Sequence, residues 1–238
     1  MAIKSPPRAP IRAVAVAMVS LVLAAPTQAG ESTCYGTVSN GRLENGVRLP
    51  TSGPNFSAYS SLAAHLGRTY VHSTVLEVVV AAYAALERSA PWNVFVYGET
   101  GWRSGGRIRP HRSHQNGLSV DFFVPVRDRS GRSVPLPTGV TNRFGYAIEF
   151  DREGRFGDYA IDFDAVAEHL YQLHAAATTR GVGLALVILD PPYLPRLFGA
   201  ARGSFLRQNL EFMKGAAWVR HDEHYHVDFA VPCRPNAG

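Results

Sequence analysis

The stretch SHQNGLSVDF, residues 113–122, sets an imidazole (His114) seven positions ahead of a carboxylate (Asp121), with a turn glycine (Gly117) between them. From Leu118 the chain continues as Leu-Ser-Val-Asp-Phe-Phe-Val-Pro-Val, a composition suited to a pleated, half-buried strand around 119–126. Asp121 lies in the middle of that run. A carboxylate is costly there unless a positive partner meets it. The spacing by itself is weak, so the partner has to be sought elsewhere in the chain.

Five of the nine histidines fall in two short windows, His111 and His114 in the first and His221, His224 and His226 in the second, HDEHYH. The strand period of two puts His224, His226 and Asp228 on one face and Tyr225, Val227 and Phe229 on the other. Two imidazoles opposite an apolar face are placed like ligands held over a sheet. A catalytic zinc typically takes three protein ligands and leaves a fourth position for water. His114, Asp121 and one histidine of the second window supply such a set. A lone His-x-His on a strand is more often a hydrogen-bonded or solvated pair, so the weight rests on the two windows together. His65, His72, His169 and His174 have no such company and are expected to be ordinary helix or surface residues.

The rest of the chain reads as α+β. Ser73-Thr74 can cap a helix whose Val75, Val78, Val79, Ala82, Tyr83 and Leu86 share one face. Asn93 to Tyr97 is a buried strand, followed by a loop punctuated by Gly98, Gly101, Gly105 and Gly106. A short strand is expected near Tyr146 to Phe150, a helix from about Phe163 to Thr179 ended by Gly181, and a strand over Leu184 to Leu189. Residues 194–214 are helical in parts, and Tyr225 to Val231 closes as a strand. Helices and strands are segregated, which points to one domain with a central, mainly antiparallel sheet flanked by helices and a zinc site on the sheet. Residues 30–70, rich in Gly, Pro, Ser and Asn, are expected to be an irregular wrap.

The first 29 residues read as a signal peptide. Lys4, Arg8 and Arg12 precede an apolar run from about Ala13 to Ala25, and Thr27-Gln28-Ala29 offers small residues for cleavage. The expected location is the periplasm, with no membrane anchor after leader removal. The leader holds three basic and no acidic residues, so it accounts for three of the five positive charges and leaves +2. No basic run interleaved with aromatics remains, which argues against a nucleic-acid partner. Only two cysteines exist, Cys34 and Cys233. In an oxidising compartment one disulfide between them is the simplest reading, and a reactive thiol is the alternative.

The motifs HRSHQNGLSVD at 111–121, Trp-x-x-His-x-x-His-x-His at 218–226 and Gly-x-x-Gly-x-x-x-Gly-Gly-Arg at 98–107 resemble the penicillin-insensitive murein endopeptidases. These belong to a wider group with lysostaphin, the D-alanyl-D-alanine metallopeptidases and the hedgehog signalling domain. The resemblance covers the central and C-terminal parts and little of residues 30–70. It implies zinc held by His114, Asp121 and His226, with His111 beside the site, and His224 and His221 as acid/base and transition-state-stabilising groups. It further implies peptidoglycan as substrate, cut at the bond between D-alanine and meso-diaminopimelate. Glu223 is a rival base, Asp228 either orients His226 or is solvated, and Arg103, Arg107 and Arg112 either meet muropeptide carboxylates or are solvated loop charges. Some relatives hold a second metal with an Asp and a His. The comparable stretch here, Arg152 to Phe156, has no histidine, so one zinc is expected. The same centre would suit a D,D-carboxypeptidase or dipeptidase, or a zinc-bearing wall-binding module without hydrolysis.

Overall fold

The computed structural model describes residues 1–2 and 31–236. The leader reading, apart from its first two residues, lies outside the described residues. Among the described residues no helix is long and apolar enough to cross a membrane.

The fold is mixed α and β around a five-stranded sheet. Its strands run in the order Leu184–Ile188, His224–Phe229, Ser119–Phe123, Phe95–Tyr97 and Phe56–Ala58. All neighbours are antiparallel except the last pair, which is parallel. Two helices of 17 residues, Ser73–Ser89 and Phe163–Thr179, pack against each other and cover one face of the sheet. Tyr83 from the first meets Phe95 and Phe122, and His169 from the second meets Phe122. The buried side of the first helix is the set Val75, Val78, Val79, Ala82, Tyr83 and Leu86, as its three- and four-residue spacing requires. The uncovered face of the two central strands carries the candidate site.

Several expectations need correction. Residues 30–70 are not an irregular wrap: Thr33–Thr37 and Asn40–Glu44 form a hairpin, Val47–Arg48 pairs with Tyr70–Val71, and Phe56–Ala58 joins the central sheet. Its Gly- and Ser-rich composition marks the closely spaced turns between short strands. The first long helix is capped by His72, whose Nδ1 accepts the Thr74 N–H at 3.1 Å, and not by Ser73 or Thr74. No strand forms over 146–150. A 3-10 turn at Val140–Gly145 leads into this segment, which is spent on side-chain anchoring: Ile148 and Phe150 are buried and the Phe150 N–H donates to Asp222.

The expected strand over 119–126 is two strands. Pro125 lacks a donor and interrupts the ladder, and Val126–Arg127 passes to a small sheet with Ser133–Val134, Tyr159–Ile161 and Arg155–Phe156. His169 is not an ordinary surface or helix histidine. It is fully buried among Tyr83, Phe95, Phe122 and Tyr225, with its Nδ1 against the Tyr225 hydroxyl. The helix Phe163–Thr179 stands as expected, capped by Asp162 Oδ1 accepting from the Ala165 N–H. Helices Leu194–Gly199 and Gly203–Asn209 make the 194–214 stretch helical in parts. A disulfide joins Cys34 and Cys233 across a sequence separation of 199.

Candidate metal centre

Antiparallel pairing sets Asp121 directly opposite His226 on the two central strands, with Ser119 opposite Asp228 and Phe123 opposite His224. Side chains on one sheet face recur every second residue, so Asp121, His224, His226 and Asp228 rise from the same side. Gly117 at φ +78° turns the chain back so that His114 reaches Asp121. A Cβ at that glycine would meet Leu43 Cδ2 at 2.6 Å and the His72 backbone nitrogen at 2.9 Å. Gly98 makes room on the other side: a Cβ there would lie 2.5 Å from the Tyr146 hydroxyl and 3.0 Å from Asp121 Cβ.

Asp121 is fully buried. Its Oδ1 lies 2.8 Å from His226 Nδ1 and 3.2 Å from His114 Nε2, and its Oδ2 lies 3.7 Å from His111 Nδ1 and 3.8 Å from His224 Nε2. The Tyr146 hydroxyl donates to Oδ2 at 2.9 Å and accepts the Glu99 N–H at 2.8 Å. His111, His114 and Asp121 present ligand atoms within 4.8 Å of one another, a group that could hold a metal ion.

The outward nitrogens decide what the inward ones offer. His114 Nδ1 contacts the Thr100 carbonyl at 3.0 Å, and a carbonyl can only accept, so the proton sits on Nδ1. Its Nε2 then turns a lone pair toward a carboxylate and has no hydrogen-bond partner. His226 Nε2 lies 2.8 Å from Asp228, and His111 Nε2 lies 2.6 Å from Glu99. Ionised carboxylates also only accept, so these Nε2 atoms donate, and wherever such a ring is neutral its other nitrogen faces Asp121 with a lone pair. That arrangement is repulsive without a cation among them. A carboxylate or carbonyl behind each imidazole is the usual support for a metal-ligating histidine.

The charges follow the same geometry. Burial lowers the His114 imidazole's proton affinity, with Asp121 opposing. Burial would also lower His226, but Asp228 and Asp121 outweigh it and hold the ring protonated. In the absence of metal that proton serves in place of the cation. Burial would raise Asp121, yet His114 and His224 hold it well below the usual carboxylate range. Glu99 is likewise buried, and His111 and Arg68 hold it down at about 2.

His221 and His224 stand beside this cluster, their rings 4.6 Å apart. His221 Nδ1 is committed to the Val219 carbonyl at 2.9 Å, which leaves Nε2 as an acceptor, and burial lowers its pKa to about 3. Burial also disfavours charge on His224, but Glu223, 2.8 Å from its Nδ1, and Asp121 raise it. Glu99, His111, Asp121, His221, Glu223, His224 and His226 line one cleft of about 420 Å³, walled by Tyr146, Trp218, Arg143, Glu149 and Arg220.

The site histidines picked from sequence, together with Asp121, thus meet in one place. Asp228 is buried against His226, and Glu223 against His224. Arg107 and Arg112 are not in the cleft wall; Arg112 sits 5.7 Å over the ring of Trp218, which is. Tyr146 and Glu99 were not picked out, nor was Arg68, which together with the Tyr59 hydroxyl fixes Glu99. Glu99 carried the one faint sign, an acid one glycine beyond the buried run NVFVY.

No curated protein matches the chain. Residues 34–138, which include the Gly-rich loop, His111, His114 and Asp121, match the family model described as penicillin-insensitive murein endopeptidase. The second histidine window lies beyond that match and joins it through the strand pairing of Asp121 with His226. Over residues 34–138, less than half of its length, the chain is similar to the penicillin-insensitive murein endopeptidases.

Proposed function

We propose that the protein is a periplasmic zinc peptidase that hydrolyses the D-alanyl–meso-diaminopimelate cross-links of peptidoglycan. The observation that carries this reading is the convergence of histidine ring nitrogens on Asp121 beside a cleft, His114 Nε2 being buried and without a hydrogen-bond partner. His114, Asp121 and His226 are the proposed ligands of one zinc, with His111 alongside. The two nitrogens and one carboxylate oxygen form a donor set that zinc accepts. A bound zinc supplies Lewis-acid chemistry, lowering the pKa of water and polarising the amide carbonyl.

The remaining steps belong to the chain's own groups. His221 Nε2, with its partner nitrogen tied to Val219, takes a proton from the attacking water. His224, held against Glu223, keeps a proton on Nε2, where it stabilises the developing oxyanion and protonates the leaving amine. Glu223 supports His224 rather than acting as the base. Tyr146 fixes the orientation of Asp121. The leader in residues 1–29 delivers the enzyme to the compartment that holds its substrate.

The test is incubation of the zinc-loaded mature protein with cross-linked sacculi, followed by mass spectrometry of the released muropeptides. Conversion of dimers to monomers, abolished by a chelator and restored by zinc, is expected. Loss of the terminal D-alanine from monomeric pentapeptides while dimers persist would instead establish a carboxypeptidase. Tight binding to intact sacculi would establish a non-hydrolytic module.

A further inference from the structure

The turn Val140–Gly145 carries a feature that the proposed reaction leaves without a role. Arg143 at φ +53° and Phe144 at φ +58° are consecutive non-glycine residues in the left-handed region. Such a pair persists only where its surroundings over-determine it. Here Asn142 Oδ1 accepts from the Gly139 N–H at 2.8 Å and the Gly145 N–H at 2.9 Å, while its Nδ2 donates to the Pro137 carbonyl at 2.6 Å. The Phe144 N–H closes the loop onto the Gly139 carbonyl. Gly145 lies flat against Phe123, where an added Cβ would come within 2.7 Å of the ring. The next residue, Tyr146, donates to Asp121. The turn therefore holds Arg143 at a fixed place relative to the candidate zinc ligands.

Arg143 is an exposed residue of the cleft wall. The other arginine of that wall, Arg220, is committed to Asp190 at 3.0 Å, to Asp222 at 3.4 Å and to the Phe150 carbonyl. Arg143 has no ion pair and no side-chain hydrogen bond among the described residues, and Glu149, the exposed acid of the wall, makes no ion pair with it. A free guanidinium on a rigid turn beside a hydrolytic centre suits a planar anion, which it can grip with two parallel N–H donors.

We propose that Arg143 is the carboxylate anchor of the cleft and selects peptides bearing a free carboxylate beside the scissile amide. This rests on the peptidase reading above: in the cross-link, the carbon carrying the scissile nitrogen also carries a free carboxylate. Arg143 thereby replaces Arg107 and Arg112 as the substrate-binding arginine.

The test uses two muropeptide dimers that differ only in that carboxylate, one free and one as the carboxamide, with binding read by calorimetry and turnover read separately. Wild type is expected to bind the acid roughly tenfold to a hundredfold more tightly than the amide, the span of a hydrogen bond to a charged group. Arg143→Gly suits the left-handed backbone, so it should keep the unfolding midpoint, bind both dimers as wild type binds the amide, and raise KM far more than it lowers kcat. Arg143→Lys should recover part of the preference. Retention of the full preference by Arg143→Gly, or its absence in wild type, would overturn the anchor. Wild type that prefers the acid in binding but cleaves neither dimer would refute the peptidase reading alone. Cleavage of both dimers at equal affinity would refute the anchor alone.

Discussion

Asp121 has no access to solvent, yet four imidazoles and one phenol surround it. His114 and His226, its partners in the proposed metal site, were legible because each sits in a local pattern: a turn glycine before a strand for His114, strand alternation for His226. Tyr146 and Glu99 were not, because their roles depend on contacts 25 and 47 residues away that no local pattern encodes. Asp228 shows how the outer layer acts. It accepts from His226 Nε2 and from the Ser119 hydroxyl, fixing which His226 nitrogen faces Asp121. Asp228→Asn should weaken zinc affinity about tenfold to a hundredfold in a competition titration against a chromophoric chelator. Unchanged affinity would remove Asp228 from the site's support. His224→Ala should keep the metal and lower turnover on cross-linked dimers by roughly a hundredfold or more; a fully active variant would deny His224 a catalytic role.

Among elements, the register between Ser119–Phe123 and His224–Phe229 matters most. A slip of one residue would turn His226 toward the helices and Tyr225 toward the cleft. Aromatic packing on the far face guards against it: Tyr225 stacks on Phe122, and both meet His169. The helix stripe of residues 75–86 was readable because its period is regular. The segment 146–150 was misread as a strand because its apolar residues are used singly, each pinned by a different partner. Gly117→Ala should destabilise by about 1–3 kcal/mol in urea unfolding, since both the positive φ and the contacts with Leu43 and His72 oppose a side chain. An unaffected variant would contradict the close approach at that turn.

His169 ties the sheet to the second long helix and gives it a pH dependence. Burial depresses its pKa to about 3, below the ordinary value of about 6.5 in the unfolded chain. The unfolded state binds the proton more readily, so this contribution is complete above about pH 6.5 and is lost as pH falls toward 3. By pH 5 the loss amounts to roughly 2 kcal/mol. His169→Gln should be less stable than wild type at pH 7 and lose less between pH 7 and pH 5. Parallel losses in the two proteins would show that His169 does not titrate in this way.

For the molecule as a whole, the two cysteines foretold their bridge, because a chain with one pair has one simple pairing. The hairpin that receives Cys34 was hidden by its turn-rich composition. The disulfide also touches the site's approach, as Asn116 Nδ2 contacts Cys233 Sγ at 3.5 Å two residues from His114. Cys34→Ser with Cys233→Ser should lower stability by about 2–5 kcal/mol and lower the unfolding midpoint measured by calorimetry. An unchanged midpoint would mean that the strand pairing of Tyr35 with Arg234 holds the termini unaided.

Metal content tests the central claim most directly. Mature protein purified without chelator and measured by elemental mass spectrometry should carry about one zinc per chain, as a single site implies. His114→Ala, Asp121→Ala and His226→Ala should each abolish that stoichiometry while remaining folded. Stoichiometric zinc retained in all three variants would contradict the assignment of the cluster around Asp121 as the metal centre.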